Sequence, residues 1–181
     1  MGSQEILILS QTASNSASVS FTADIDSTYE AYKFVYVSIN PATDNTDFMF
    51  NGSIDGGSNY NVTKTTTMWR AYHGEDDAYS GLTYDTSYDR DQSTDYQWLC
   101  YDIGNESYES ASGELYIFNP SSTTYETHFH ATTAMTEASG YVINNFAAGY
   151  FDSASAINAV NFKMDSGNFD GFITMYGYKI T

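Results

Sequence analysis

The sequence predicts an all-β protein: an antiparallel β-sandwich of jelly-roll type with about eight to eleven strands and little or no helix. Three observations predict it. Polar and apolar residues alternate with period two over short runs, which is the signature of half-buried strands. Loops rich in Asp, Asn, Gly and Ser punctuate those runs. No window repeats its apolar residues at i, i+3, i+4 and i+7, and the abundant Thr, Tyr, Phe and Val favour a pleated sheet.

Taken in order, EILIL (5–9) and SVSFTA (18–23) are the first two expected strands. In YKFVYVSIN, Tyr32, Phe34, Tyr36 and Ser38 share one face while Lys33, Val35, Val37 and Ile39 share the other. Both faces are largely apolar, so this strand is expected at the centre of its sheet. Further strands are expected at 47–54, 65–73, 95–103, 112–119, 123–134, 140–150, 157–165 and 169–180. Pro41 and Pro120 each follow an Asn at a strand end, where the missing N–H disturbs no ladder. In the closing stretch SGNFDGFITMYGYKIT, Gly167 and Asn168 read as a turn that folds the last strand back on INAVNFKMD. Gly177 in that strand reads as a site of close approach by a neighbour.

At 181 residues and 20.1 kDa the chain is sized for one domain over residues 1–181. Its 17 Tyr, 11 Phe and 2 Trp supply ample material for a rigid core. Six Lys and Arg stand against 23 Asp and Glu, a formal charge of −17. The six cations are scattered singly, so neither nucleic acid nor an anionic membrane surface is an expected partner. The N-terminal apolar run is too short for a signal-peptide core, and no run approaches the ~20 residues of a membrane helix. The single Cys100, flanked by Trp98, Leu99 and Tyr101, is expected to be a packed thiol. Asn-x-Ser/Thr triplets at Asn51, Asn61 and Asn105 read as chance matches.

Residues 74–95 break the alternation with seven carboxylates and form an expected long acidic loop, the segment most suited to meet a partner or an ion. Within it Asp85, Ser87, Asp89 and Asp91 occupy alternate positions, as the first oxygen ligands of a calcium loop would. Arg90 stands where the turn glycine is needed and Tyr96 where the closing Glu should be, so calcium is a minor expectation beside solvated carboxylates. His128 and His130 in THFH should share a strand face, but two histidines do not complete a metal site. No GxSxG or other nucleophile motif occurs, so no enzymatic activity and no cofactor are expected. Trp69, Tyr72, Tyr79, Tyr84 and Tyr88, near the long loop, are the candidate contacts for a partner or a sugar ring, against the commoner fate of aromatics as core.

The two ends of the chain carry a resemblance. The opening SASVSFTADIDSTYEAY (16–32), followed by INPATDNTDFMF and SIDGGSNYN, resembles the start of a family of small proteins and domains of tailed bacteriophages, marine ones especially. INAVNFKMDSGNFDGFITMYGYKIT resembles the same family's C-terminus. The likeness covers roughly the first sixty and the last twenty-five residues, and the middle is unmatched. It departs from the family pattern at Asn161, where Arg is frequent, and at Met175, where Leu is usual. The resemblance implies a jelly-roll sandwich serving as a virion structural module, with Phe21, Tyr29, Tyr32, Phe162, Gly167, Gly171, Tyr176 and Gly177 as fold residues. Its foremost implication is a capsid decoration or cement protein assembled in the host cytoplasm, bound to the major capsid protein and favouring a homotrimer. The alternative is a tail-fibre or receptor-binding tip that recognises host glycan, or a carbohydrate-binding module of the same fold.

Overall fold

The computed structural model describes residues 4–179 and is all-β. Twelve strands run β1 (Gln4–Ser16), β2 (Ser18–Phe21), β3 (Ala31–Pro41), β4 (Thr46–Ser53), β5 (Lys64–Gly74), β6 (Ser80–Tyr84), β7 (Gln97–Ile103), β8 (Ala111–Phe118), β9 (Thr127–Glu137), β10 (Tyr141–Phe151), β11 (Ala159–Met164) and β12 (Phe169–Lys179). The only helical element among the described residues is a single 3-10 turn at Thr86–Tyr88. Every expected strand is present. Ile180, the expected end of the last one, lies outside the described residues.

Eight strands form the larger sheet, in the order β1-β12-β3-β8-β9-β10-β5-β6, and four form the smaller one, β7-β4-β11-β2. All pairings are antiparallel. One pair, Ile103 with Glu137, joins β7 to β9, so the two sheets nearly close into a barrel-like sandwich. The chain changes sheet at most of its connections, which gives the jelly-roll character.

Alternation decides what each sheet buries. Tyr32, Phe34 and Tyr36 on β3 point inward and are fully buried, as their shared face predicts. The pattern then slips. Ser38 takes φ +53, the register with β8 shifts between Tyr36 and Ile39, and Ile39 is turned inward, leaving Ser38 outside. At the centre of the core Phe162 of β11 meets Phe34 at 5.4 Å, Phe48 at 5.9 Å, Phe21 at 6.2 Å and Phe50 at 6.4 Å. Each such ring contributes about 1.5–3 kcal/mol through burial. The buried Tyr36 hydroxyl is satisfied by Thr133 Oγ1 at 2.5 Å, so a polar group crosses the core without an unmet hydrogen bond. Cys100 is fully buried, and burial pushes its thiol well above the ordinary range. Asn51 is also fully buried, its amide donating to the carbonyls of Tyr60 and Thr94.

Two expectations about the closing stretch separate. Gly177 does permit a close approach: a Cβ there would run into the ring of Tyr29. The turn at Gly167, with φ +75, does not make a hairpin. β11 pairs with β4 and β2 in the smaller sheet, whereas β12 pairs with β1 and β3 in the larger one. The turn is a corner between sheets, held by Ala42 N–H donating to the Asn168 carbonyl at 2.8 Å. Both of β11's edges are already taken, which leaves β12 no place beside it.

Candidate functional site

The 74–95 excursion is a ribbon laid along β5. Its outgoing part carries β6, paired with the second half of β5 from Trp69–Tyr84 to His73–Ser80. Its return leg closes on the first half: Lys64 and Ser93 exchange backbone hydrogen bonds at 2.9 and 3.1 Å, and Thr66 N–H donates to the Arg90 carbonyl at 2.9 Å. Arg90 clamps this leg by donating from Nε and Nη2 to the Tyr96 carbonyl at 2.9 and 2.6 Å, with its guanidinium 3.8 Å over the Trp98 ring. The fully buried Lys64 donates from Nζ to the Asp95 carbonyl at 2.5 Å. Desolvation, aided by the Arg90 charge, pulls its ammonium down to about 7.

The alternate carboxylates of this ribbon have separate partners. Asp85 Oδ2 accepts from the Tyr101 hydroxyl at 2.7 Å and faces Arg70 Nε at 3.3 Å. Asp89 accepts from Met68 N–H at 2.7 Å and from the Tyr84 hydroxyl at 2.5 Å. Among the described residues no three His, Cys, Asp or Glu side chains are grouped to hold a metal ion.

The five candidate aromatics go to three places. Tyr88 is drawn into packing, stacked on Tyr101 at 3.8 Å and edge-on to Trp98 at 5.1 Å, and burial pushes its phenol up to about 12. Tyr72 and Tyr79 line a corner pocket of about 250 Å³ together with Arg70, Glu137, Tyr141 and Ile143. Asp85 pairs with that arginine and Glu137 lies in the wall, so the pocket holds no surplus positive charge. Trp69 and Tyr84 stand on the outer face of the larger sheet.

That outer face is the most distinctive surface of the molecule. Cross-strand register places Trp69 against Phe146, stacked at 3.9 Å, Tyr150 beside His128 at 6.0 Å, and Tyr116 stacked on His130 at 5.0 Å. His128 and His130 do share this face, as THFH predicts, and serve as ring neighbours. At the β1-β12-β3 end the exposed apolar side chains are Leu7, Val37 and Phe172, the last two directly paired. The acidic residues within the strands of the larger sheet are Glu5, Glu114 and Glu137, with Asp170 at a strand end; Glu137 lies in the wall of the corner pocket, and Asp89 of the ribbon reaches the face at the Tyr84 hydroxyl. Glu5 is neutralised by an ion pair to Lys33. Most of the chain's 23 Asp and Glu lie in its loops, which leaves the strands of this aromatic face with few carboxylates.

Phe146, Tyr150, Tyr116 and Phe172 were not expected as surface residues. Alternation relates residues only within one strand, and these four lie on other strands than Trp69 and the histidines, so only the register shows that they share the outer face.

Three shallow depressions cross this face. The first, about 370 Å³, lies among Thr65, Thr67, His128, Ala148 and Tyr150. The second, about 190 Å³, lies among Thr67, Trp69, His130, Phe146 and Ala148. The third, about 470 Å³, sits over Gly113 between Val37, Glu114 and Thr132. Comparison with known protein families, with curated proteins and with solved structures finds no match to this chain.

Proposed function

We propose that this protein is a non-catalytic structural module of a bacteriophage virion, a capsid decoration protein that docks on the shell through the apolar end of its larger sheet. The observation that carries the reading is the exposed apolar surface of this face: Leu7, Val37 and Phe172 are 60%, 45% and 55% exposed beside strands in which carboxylates are sparse. The adjacent pair Val37 and Phe172, with Leu7 further along β1 opposite Tyr176, gives this end of the face the apolar character of a docking surface. The remaining acidic surface keeps copies apart before assembly, when the protein must remain soluble at high concentration. The sandwich fold is compatible with the resemblance at the chain ends, and several of the residues it names as scaffold lie in the core, although Tyr176 is half-buried beside Lys33 on the outer face. Phe21, Tyr32 and Phe162 are fully buried, and Gly177 makes room for Tyr29. A homotrimer around a shell symmetry axis remains part of the proposal.

The test is cryo-EM of the parent virion together with an occupancy assay of purified protein added to undecorated shells. Density on the head, and at least a tenfold loss of occupancy for a Val37→Asp, Phe172→Asp double variant, are the expected results. Density confined to the tail, or full occupancy by the double variant, would overturn the decoration reading. Sedimentation at micromolar concentration tests the trimer separately.

A further inference from the structure

At the β5-β10-β9 end of the same face, the first two depressions meet along Thr67 and Ala148 and form one cleft. Its floor is set by register: Ala148 lies directly between Thr67 on β5 and His130 on β9, and neither Thr67 nor Ala148 is large enough to fill the space above the sheet. Its end walls are rings. Trp69 and Phe146 make one, Tyr150 with His128 the other, and Phe146 and Tyr150 stand four positions apart on β10, about 13 Å along a strand. His130 closes the β9 side. The combined volume falls within the range of small-ligand clefts, about 300–1,000 Å³.

The chemistry of the lining selects the occupant. Neither half is lined by an Asp, Glu, Lys or Arg, although the chain has 29 such residues, 6 basic plus 23 acidic. An anionic ligand would meet no cation here and would be repelled by the −17 background, while a cationic one would find its partners on the acidic surface elsewhere. What the cleft does offer is two histidine rings and the Tyr150 phenol between its aromatic end walls, with the hydroxyls of Thr65 and Thr67 beside them, the first already accepting from Gln92 Nε2 at 2.8 Å and the second donating to the Tyr84 hydroxyl at 3.3 Å. A pyranose ring matches this set, because its C–H face packs against the electron-rich face of an aromatic ring while its hydroxyls exchange hydrogen bonds with hydroxyl and imidazole groups. A purely apolar peptide would bury the two imidazoles and the Tyr150 phenol without partners.

We infer that the cleft between Trp69–Phe146 and Tyr150–His128 is a binding site for a short, uncharged saccharide. This rests on the reading that the outer face is the working surface, but it uses the end of that face away from Leu7, Val37 and Phe172. A decoration protein with this cleft would hold its shell with one end of the sheet and present a sugar-binding site with the other.

The experiment is a multivalent glycan array carrying neutral and acidic oligosaccharides, followed by calorimetry of the hits with the wild-type protein and an Ala148→Phe variant, which fills the cleft from its solvent side. Trp69→Ala serves as a second variant, and a cooperative melt close to wild type verifies the fold of each. Binding of at least one neutral oligosaccharide, weakened tenfold or more by both variants, is expected. No neutral hit, hits restricted to acidic glycans, or neutral binding untouched by Ala148→Phe would overturn the inference. So would a wild-type dimer that Ala148→Phe dissociates, which would make a second copy of the chain the occupant. Shell occupancy, measured independently, decides the docking reading, so either can fail alone.

Discussion

At the residue scale, Lys64 shows how a single side chain can be costly and still well placed. It is fully buried beneath the Phe151 ring at 5.9 Å, with the Asp95 carbonyl as acceptor. Burial holds its folded-state value at about 7, below the ordinary 10.5, so between those values the unfolded chain binds a proton that the folded chain does not. Stability therefore rises as pH climbs from about 7 toward 10.5, and the full penalty applies below 7. Above about 10 the trend reverses, because Tyr32, Tyr88 and Tyr96, each pushed up to about 12 by burial, hold protons that the unfolded chain releases. Lys64→Met should raise stability at pH 7 by on the order of 1–3 kcal/mol and flatten the slope between pH 7 and about 9.5. Chemical denaturation across that range is the measurement, and an unchanged slope would show that Lys64 is not the group responsible. Nothing in the local sequence KTTTM distinguishes Lys64 from a surface lysine. Its burial follows from the return of the 74–95 ribbon, a contact thirty residues away in the chain.

At the element scale, β12 is the strand whose role the sequence describes best and whose neighbours it describes least. Alternation from Phe169 to Lys179 marks it as two-faced, and the structure places it between β1 and β3 with Ile173 and Met175 fully buried. Removing residues 172–181 would unpair both neighbours and delete those two side chains from the core. Large-to-small losses cost about 2–5 kcal/mol each, so the combined loss is comparable to the whole stability of a domain. The chain truncated after Gly171 should show no cooperative thermal transition; a sharp melt would mean that β12 is dispensable. The β11-β12 turn looks like a hairpin in sequence because hairpins and sheet-crossing corners use the same turn residues. The acidic ribbon posed the converse problem. Five residues of SGLTY make a strand only because the edge of β5 is available, and a stretch with one large aliphatic residue carries no signal of its own.

At the scale of the whole molecule, charge and fold pull in opposite directions. Seventeen uncompensated negative charges on a sandwich of this size repel one another, and salt relieves that repulsion over the Debye length, about 30 Å at 0.01 M and 3 Å at 1 M. The melting temperature should therefore rise with sodium chloride, by several degrees between about 0.01 M and 0.5 M, and scanning calorimetry would measure it. A flat or falling dependence would mean that the carboxylates are engaged with partners and do not repel. Mutual repulsion also acts between copies, which confines any association to surfaces where charge is scarce.

The amino-acid sequence by itself determined the class of fold, the positions of eleven strands, the inward set Tyr32, Phe34 and Tyr36, the buried thiol of Cys100 and the acidic surface. All of these follow from local periodicity and composition, which act within a few residues. Tertiary structure alone decided which strands are neighbours. It turned the Gly167 corner between sheets, drew Tyr88 into the packing, spent Asp85 and Asp89 on protein partners, and set Trp69, Phe146, His128 and Tyr150 around a common cleft. Each of those outcomes depends on cross-strand register, which is settled by the simultaneous burial of many distant side chains and leaves no mark within any single strand.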